Sequence, residues 1–159
     1  MDSHCPWYCL STRAKCENVT SAKLAEKQIE VLNPRLPARR GSGERMIPLF
    51  PGYIFARFAL ATDYYRVVWT PGLKAIIGNG SEPVSVEPEL IQLIVERVEA
   101  ACRTGTELKP GDRVRIESGP FRSLDGVFSS YCSGKQRVKV LLELFNQPVL
   151  VALDLKRIA

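Results

Sequence analysis

Histidine occurs once in these 159 residues, at position 4. A single imidazole leaves no second one for acid–base work, and the glycine patterns of P-loop and dinucleotide-binding proteins are also missing. No catalytic constellation emerges, so the chain is expected to be no enzyme and to need no cofactor. Long hydrophobic runs are lacking too. Charges break every apolar stretch well before the roughly 20 residues of a membrane helix, and no membrane association is expected. The opening "MDSHCPWYCL" has no basic region ahead of an apolar run, so no secretory leader is expected and the compartment reads as cytoplasmic. Internal repeats and low-complexity tracts are absent.

The cysteines lack a pattern. Cys5, Cys9, Cys16, Cys102 and Cys132 are odd in number and irregular in spacing, which suits reduced, ordinary thiols. Cys5, Cys9 and Cys16 suggest a metal site only if His4 joins them. A CxxxC followed by a cysteine seven residues on is not the CxxC spacing of common zinc sites, and no metal is expected.

What is present is an ordinary globular composition, 45% hydrophobic and 25% charged, with a net charge of +5 unevenly placed. Residues 1–74 hold 11 Lys/Arg against 6 Asp/Glu, while 75–105 hold 2 against 5. A basic N-terminal surface suits nucleic acid, although a solvated mixed surface produces similar counts.

Along the chain, "WYCLSTR" (7–13) reads as a first strand. A helix is expected over about Glu17 to Leu32, with Val19, Ala22, Ala25, Ile29 and Leu32 at helical spacing. "NPRLPARRGSGERMIPLF" suits two strands around a mobile hairpin tip. "GYIFARF" (52–58) follows as a strand after the Pro51-Gly52 turn. A short helix is expected near Thr62 to Trp69, then a strand over "LKAII" (73–77). "EPELIQLIVERVEAAC" is the clearest helix, with Pro88 in its first turn and a stripe of Leu90, Leu93, Ile94, Val98 and Ala101. This order predicts an α+β fold with an antiparallel or mixed sheet and helices on one side. The polar "RTGTELKPGD" (103–112) marks a boundary, giving a domain over 1–103, a linker over 104–110 and a second domain over 111–159. There, Val138, Val140, Leu142 and Leu144 alternate, as do Val149, Val151 and Leu153, which predicts a small all-β barrel.

Two groups of motifs carry a family resemblance. "GDRVRIESGPFRSLDGVF" (111–128), followed by "RVKVLLELFNQPVLVALDL", resembles the SH3-like KOW barrel at the C-terminus of the NusG family of transcription elongation factors. "WYCL", "PLFPGYIFARF", "TPGLKAIIG" and "PVSVEPELIQLI" resemble, in order and spacing, the family's N-terminal (NGN) domain. Ser123 and Asn146 stand where glycine is usual in the KOW core. The compact chain and the wording of "PLFPGYIFARF" look more like specialised, RfaH-like paralogues than the housekeeping member. The barrel is nevertheless expected in the free protein, rather than the helical hairpin some RfaH proteins adopt. Period-two alternation, β-branched residues and Pro148, which costs about 3 kcal/mol inside a helix, all favour strands.

The resemblance implies a chain that binds RNA polymerase through its first domain and recruits a second partner, the ribosome, Rho or RNA, through the KOW domain. Tyr53 and Phe55 match the family's pocket for the clamp helices of the polymerase largest subunit. On an alternating strand they share a face opposite Ile54, Ala56 and Phe58, and are expected to lie open unless this chain's own elements cover them. Asp63, Tyr64, Tyr65 and Arg66 match the place that touches the gate loop of the other large subunit, although a Tyr pair at a helix start also serves packing. Arg13, Lys23, Trp69 and Thr70 match positions that meet the non-template DNA strand, with Lys15 and Lys27 adding charge. Trp69 suits either a stacking platform or a core. Arg35, Arg39, Arg40 and Arg45 flank the hairpin, reaching upstream DNA or simply solvated. The expected function is a monomeric elongation and antitermination factor that bridges the polymerase cleft. The alternative is an RNA- or ribosome-binding KOW module acting in translation.

Overall fold

The computed structural model describes residues 5–40, 43–79, 82–104 and 134–146. The described residues form two compact units: those of Met1–Pro34 with Pro51–Ile91, and those of Arg35–Phe50 with Gln92–Ala159.

The first unit is built on strand β1 (Trp7–Thr12), helix α1 (Glu17–Glu26) and the short strand β2 (Glu30–Leu32). After the residues of the second unit's hairpin, β5 (Tyr53–Arg57), helix α2 (Leu60–Val68) and β6 (Leu73–Ile76) complete the layer. The sheet order is β2-β5-β1-β6, every pairing is antiparallel, and the two-residue strand β9 (Ser85–Val86) also pairs with β1. A two-residue ladder of β7 (Gly78–Asn79) and β8 (Glu82–Pro83) lies between β6 and β9 in sequence. The α+β class and the antiparallel sheet are as the sequence predicts.

The core of this unit joins Tyr8, Leu10, Leu24, Ile29, Ile54, Ala56, Phe58 and Val67, with the Tyr8 and Phe58 rings 4.8 Å apart. Ile54, Ala56 and Phe58 therefore share the core face that strand alternation assigns them. The first helix differs from expectation. It stops at Glu26, and Gln28 takes a left-handed φ of 62°, which ends the helix and lets β2 form. Its buried residues are Glu17, Thr20 and Leu24, while Val19 is exposed. That buried side is mostly polar because it holds loops by hydrogen bonds, so hydrophobic periodicity could not locate it.

In the second unit, β3 (Arg35–Arg40) and β4 (Gly43–Pro48) pair as a hairpin, in the register Leu36 to Ile47 and Ala38 to Arg45. Helix α3 (Pro88–Thr104) begins in the first unit and runs into the second, and Leu90, Leu93 and Ile94 of its predicted stripe are buried.

A second difference is larger. Residues Gly134–Asn146 form helix α4, where alternation predicted a strand over Val138 to Leu144. The segment satisfies both periods. Val138, Val140, Leu142 and Leu144 alternate, but Val138, Leu141, Leu142 and Phe145 follow i, i+3, i+4, i+7. Leu141, an off-face position in the strand reading, is fully buried. Lys, Gln, Arg, Leu and Glu supply good helix formers, and the helix as described, Gly134–Asn146, does not include Pro148. Arg137 Nε donates to the Leu49 carbonyl at 2.7 Å, which ties α4 to the end of the hairpin within this unit. The remaining barrel strands and the motif over 111–128 lie outside the described residues.

Candidate functional site

The candidate residues sit on three joined pieces of the first unit: the end of β1, helix α1, and α2 with the turn after it. Gly72, at φ 85°, accepts a hydrogen bond from the Arg13 amide at 2.8 Å. Thr20 of α1 donates its hydroxyl to the Pro71 carbonyl at 3.1 Å. Lys27, just past α1, donates Nζ to the Arg66 carbonyl at 2.8 Å and to Thr70 Oγ1 at 3.1 Å. A cation placed at the C-terminal carbonyls of α2 also complements the helix dipole. These bonds draw Arg13, Lys23, Lys27, Trp69 and Thr70 into one neighbourhood, although they come from three separate stretches of sequence.

Within it, Trp69 is 77% exposed, so it belongs to the surface and not to the core. Thr70 is buried, and its hydroxyl donates to the Arg66 carbonyl at 2.8 Å. The structure therefore makes Thr70 a brace for the α2 terminus, with no free side chain to offer a strand. Arg13 and Lys15 are exposed, and Lys23 pairs loosely with Glu26 at 3.5 Å across one turn of α1.

At the start of α2, Asp63 Oδ2 accepts from the Ala59 amide at 3.3 Å, which ties the first turn of the helix to the residue that leads into it. Its other oxygen accepts from Arg66 Nη1 at 3.0 Å, while Arg66 Nη2 donates to the Lys27 carbonyl at 2.6 Å. Both side chains line a cavity of about 250 Å³ with Lys27, Arg57 and Phe58. Arg57 there is paired with Glu30 and lies over the Trp7 ring. Tyr65 is exposed, with Tyr64 against it edge-on at 5.3 Å. Of the four residues assigned to a gate-loop contact, the two charged ones are structurally engaged and the two tyrosines face outward.

The strand "GYIFARF" requires a correction. Tyr53 is half-buried, but Phe55 is fully buried, as are Ile54 and Ala56. The expectation that Phe55 lies in an open patch fails, because the ring is fully enclosed at the centre of β5, an inner strand between β1 and β2. Cys9, directly opposite Phe55 on β1, is likewise fully buried.

Burial pushes the Cys9 thiol far above its ordinary range. Its stabilising contribution is complete below the unfolded thiol value, about 8.5, and is lost as pH rises beyond it. Native protein at pH 8 is expected to leave Cys9 unlabelled by a maleimide while exposed Cys102 reacts. Stability is expected to fall by up to about 1.4 kcal/mol per pH unit above pH 8.5, a slope that Cys9→Ala removes.

Sequence reasoning missed Glu17. This buried carboxylate accepts the Gly52 amide at 2.7 Å and anchors the Pro51-Gly52 turn that launches β5. An acid in the first turn of a helix was visible, but nothing local pointed to a partner 35 residues away. No group of three or more His, Cys, Asp or Glu residues is placed to hold a metal among the described residues, and no described helix is long and apolar enough to cross a membrane.

Fold and surface together define an α+β chain that displays aromatic rings among lysine and arginine side chains. Residues 6–95 match the family described as NusG, transcription termination factor nusG, and the chain belongs to that family. The transcription termination/antitermination protein NusG of Deinococcus radiodurans is 33% identical, over 70% of this chain and 67% of that protein. The proteins of the same name from Thermus thermophilus (27% identical, 96% of each chain) and Staphylococcus epidermidis (28%, 93% of this chain and 92% of that one) are also similar. A solved structure described as "Domain interaction in Thermotoga maritima NusG" matches at TM-score 0.47 and 24% identity, over 73% of this chain and 74% of that one.

Proposed function

We propose that this chain is a transcription elongation and antitermination factor that binds RNA polymerase across its cleft through residues 1–103 and recruits a second partner through residues 111–159. The family match over 6–95 carries the reading, because it spans the strand, helix and turn that hold the proposed contacts. Tyr53 is the accessible part of the clamp-helix contact, and a contact through Phe55 requires the cover over that ring to move. Tyr64 and Tyr65 face the gate loop, with Asp63 and Arg66 fixing the helix that presents them. Arg13, Lys23 and Trp69 meet the non-template strand, with Thr70 holding their turn in place.

The specialised, RfaH-like reading is favoured by α4. The resemblance implies a barrel strand where the chain is helical, and a helical form of this segment is a property of some RfaH proteins. Binding shifts polymerase toward a processive state only by as much as the factor prefers that state.

The test is retention of core RNA polymerase and of ribosomes on the immobilised full chain. Polymerase retention is expected; ribosome retention without polymerase overturns the reading in favour of a translation module. For the DNA contact, Arg13→Ala with Lys23→Ala is expected to reduce the slope of log affinity against log salt by about 0.7 per lost phosphate contact on single-stranded DNA. Equal slopes remove those side chains from the DNA surface.

A further inference from the structure

Tyr65 and Trp69 are the two most exposed large apolar side chains among the described residues, at 73% and 77%. They lie four residues apart, and the Trp69 amide donates to the Tyr65 carbonyl at 3.1 Å, so the helical turn that joins them is intact. Residues at this spacing share one helix face. The Tyr64 ring meets Tyr65 edge-on at 84° and braces it. Two large rings kept in water on one turn are an unused binding surface.

We infer that Tyr65 and Trp69 act together as a platform on which two successive bases of single-stranded DNA stack. The inference rests on the DNA-facing reading of Trp69 and moves Tyr65 from the polymerase contact to the nucleic-acid contact. Four residues of helix rise about 6 Å, nearly twice the 3.4 Å between stacked bases in a strand. The rings therefore match neighbouring bases of a drawn-out strand, each free of the other, and do not match a continuous stack. Stacking on aromatic faces needs no particular base edge.

Charge selects nucleic acid over an apolar protein segment. The Lys27 ammonium is held within 2.8 Å of the Arg66 carbonyl and 3.1 Å of the Thr70 hydroxyl, on the turn that carries both rings. Arg13, Lys15 and Lys23 are exposed on the elements bonded to that turn. The nearby carboxylates, Glu26 and Asp63, are each engaged by a cation, Lys23 and Arg66. Phosphates flanking two stacked bases would meet lysine and arginine side chains.

The chain has two tryptophans, so full-length protein carrying Trp7→Phe reports on Trp69 alone. It is titrated at low salt with fluorescently labelled oligothymidylate of about ten nucleotides, within the 4–16 that single-strand-binding folds cover. Quenching of Trp69 emission is expected. By anisotropy, Tyr65→Ala should weaken binding about tenfold or more, with an unchanged salt slope because no cation is lost. Tyr65→Phe should keep the parent affinity, since the ring is what stacks. If Trp69→Ala weakens binding and Tyr65→Ala does not, the paired platform is overturned while the DNA contact stands. If neither variant changes affinity, the DNA contact falls as well. If Tyr65→Ala lowers affinity for DNA-free core polymerase and leaves the oligonucleotide untouched, the ring faces protein and the inference is wrong.

Discussion

Phe55→Ala is expected to destabilise the first unit by about 3–5 kcal/mol, as severely as Ile54→Ala. Phe55 has no exposed surface and sits on β5 between Leu32 of β2 and Cys9 of β1, so truncating the ring leaves a cavity rather than a smoother surface. A loss of this size is a large share of the roughly 5–15 kcal/mol that holds a domain folded. Urea unfolding of the two variants and the parent, with midpoint and slope both measured, checks it. A Phe55→Ala midpoint equal to that of the parent would mean that the ring lies open in solution. Polymerase affinity of this variant is interpretable only after stability has been compared, because a partly unfolded domain also binds weakly.

Gly72→Ala is expected to cost about 2–3 kcal/mol, whereas Gly52→Ala should cost only about 1–2. Both glycines have the same left-handed backbone, φ 85° and 84°, so the strain of placing a side chain there is shared. Their surroundings differ. A Cβ on Gly72 collides with Thr20 Oγ1 and comes within 3.1 Å of Cys16 Cβ, while one on Gly52 meets nothing closer than the Thr12 carbonyl at 3.9 Å. The Thr20 hydroxyl cannot simply swing aside, because it holds the Pro71 carbonyl. Combining Gly72→Ala with Thr20→Ala should therefore cost less than the two changes added separately. Thermal melts of the four variants measure this coupling. Gly72→Ala should also weaken DNA binding, since the same turn carries Trp69 and bonds to Arg13.

Much of the first unit was legible because its signals are local. Apolar runs rich in aromatic and aliphatic residues placed β1, β5 and β6, and Pro51-Gly52 marked the turn into β5. The Leu90, Leu93 and Ile94 stripe marked α3, and the core face of Ile54, Ala56 and Phe58 followed from strand geometry alone. Other features depended on partners distant in the chain. The buried side of α1 is recognised through Glu17 reaching Gly52 and Thr20 reaching Pro71, contacts that no helical period encodes. Trp69 and Phe55 show the same limit from opposite sides. Residue type could not tell the exposed ring from the enclosed one, because covering a side chain is a property of whatever packs over it.

The sequence alone determined the resemblance to the family, the α+β class, the main strands of the first unit, and the residue types available to the proposed contact surface. Tertiary structure decided which of those residues face water and what residues 134–146 become. Their apolar side chains satisfy a period of two and a period of 3.6 equally well, so neither pattern excludes the other. Burial of Leu141 and the Arg137 bond to Leu49 belong only to the helix, and those contacts exist only once the chain is folded around them.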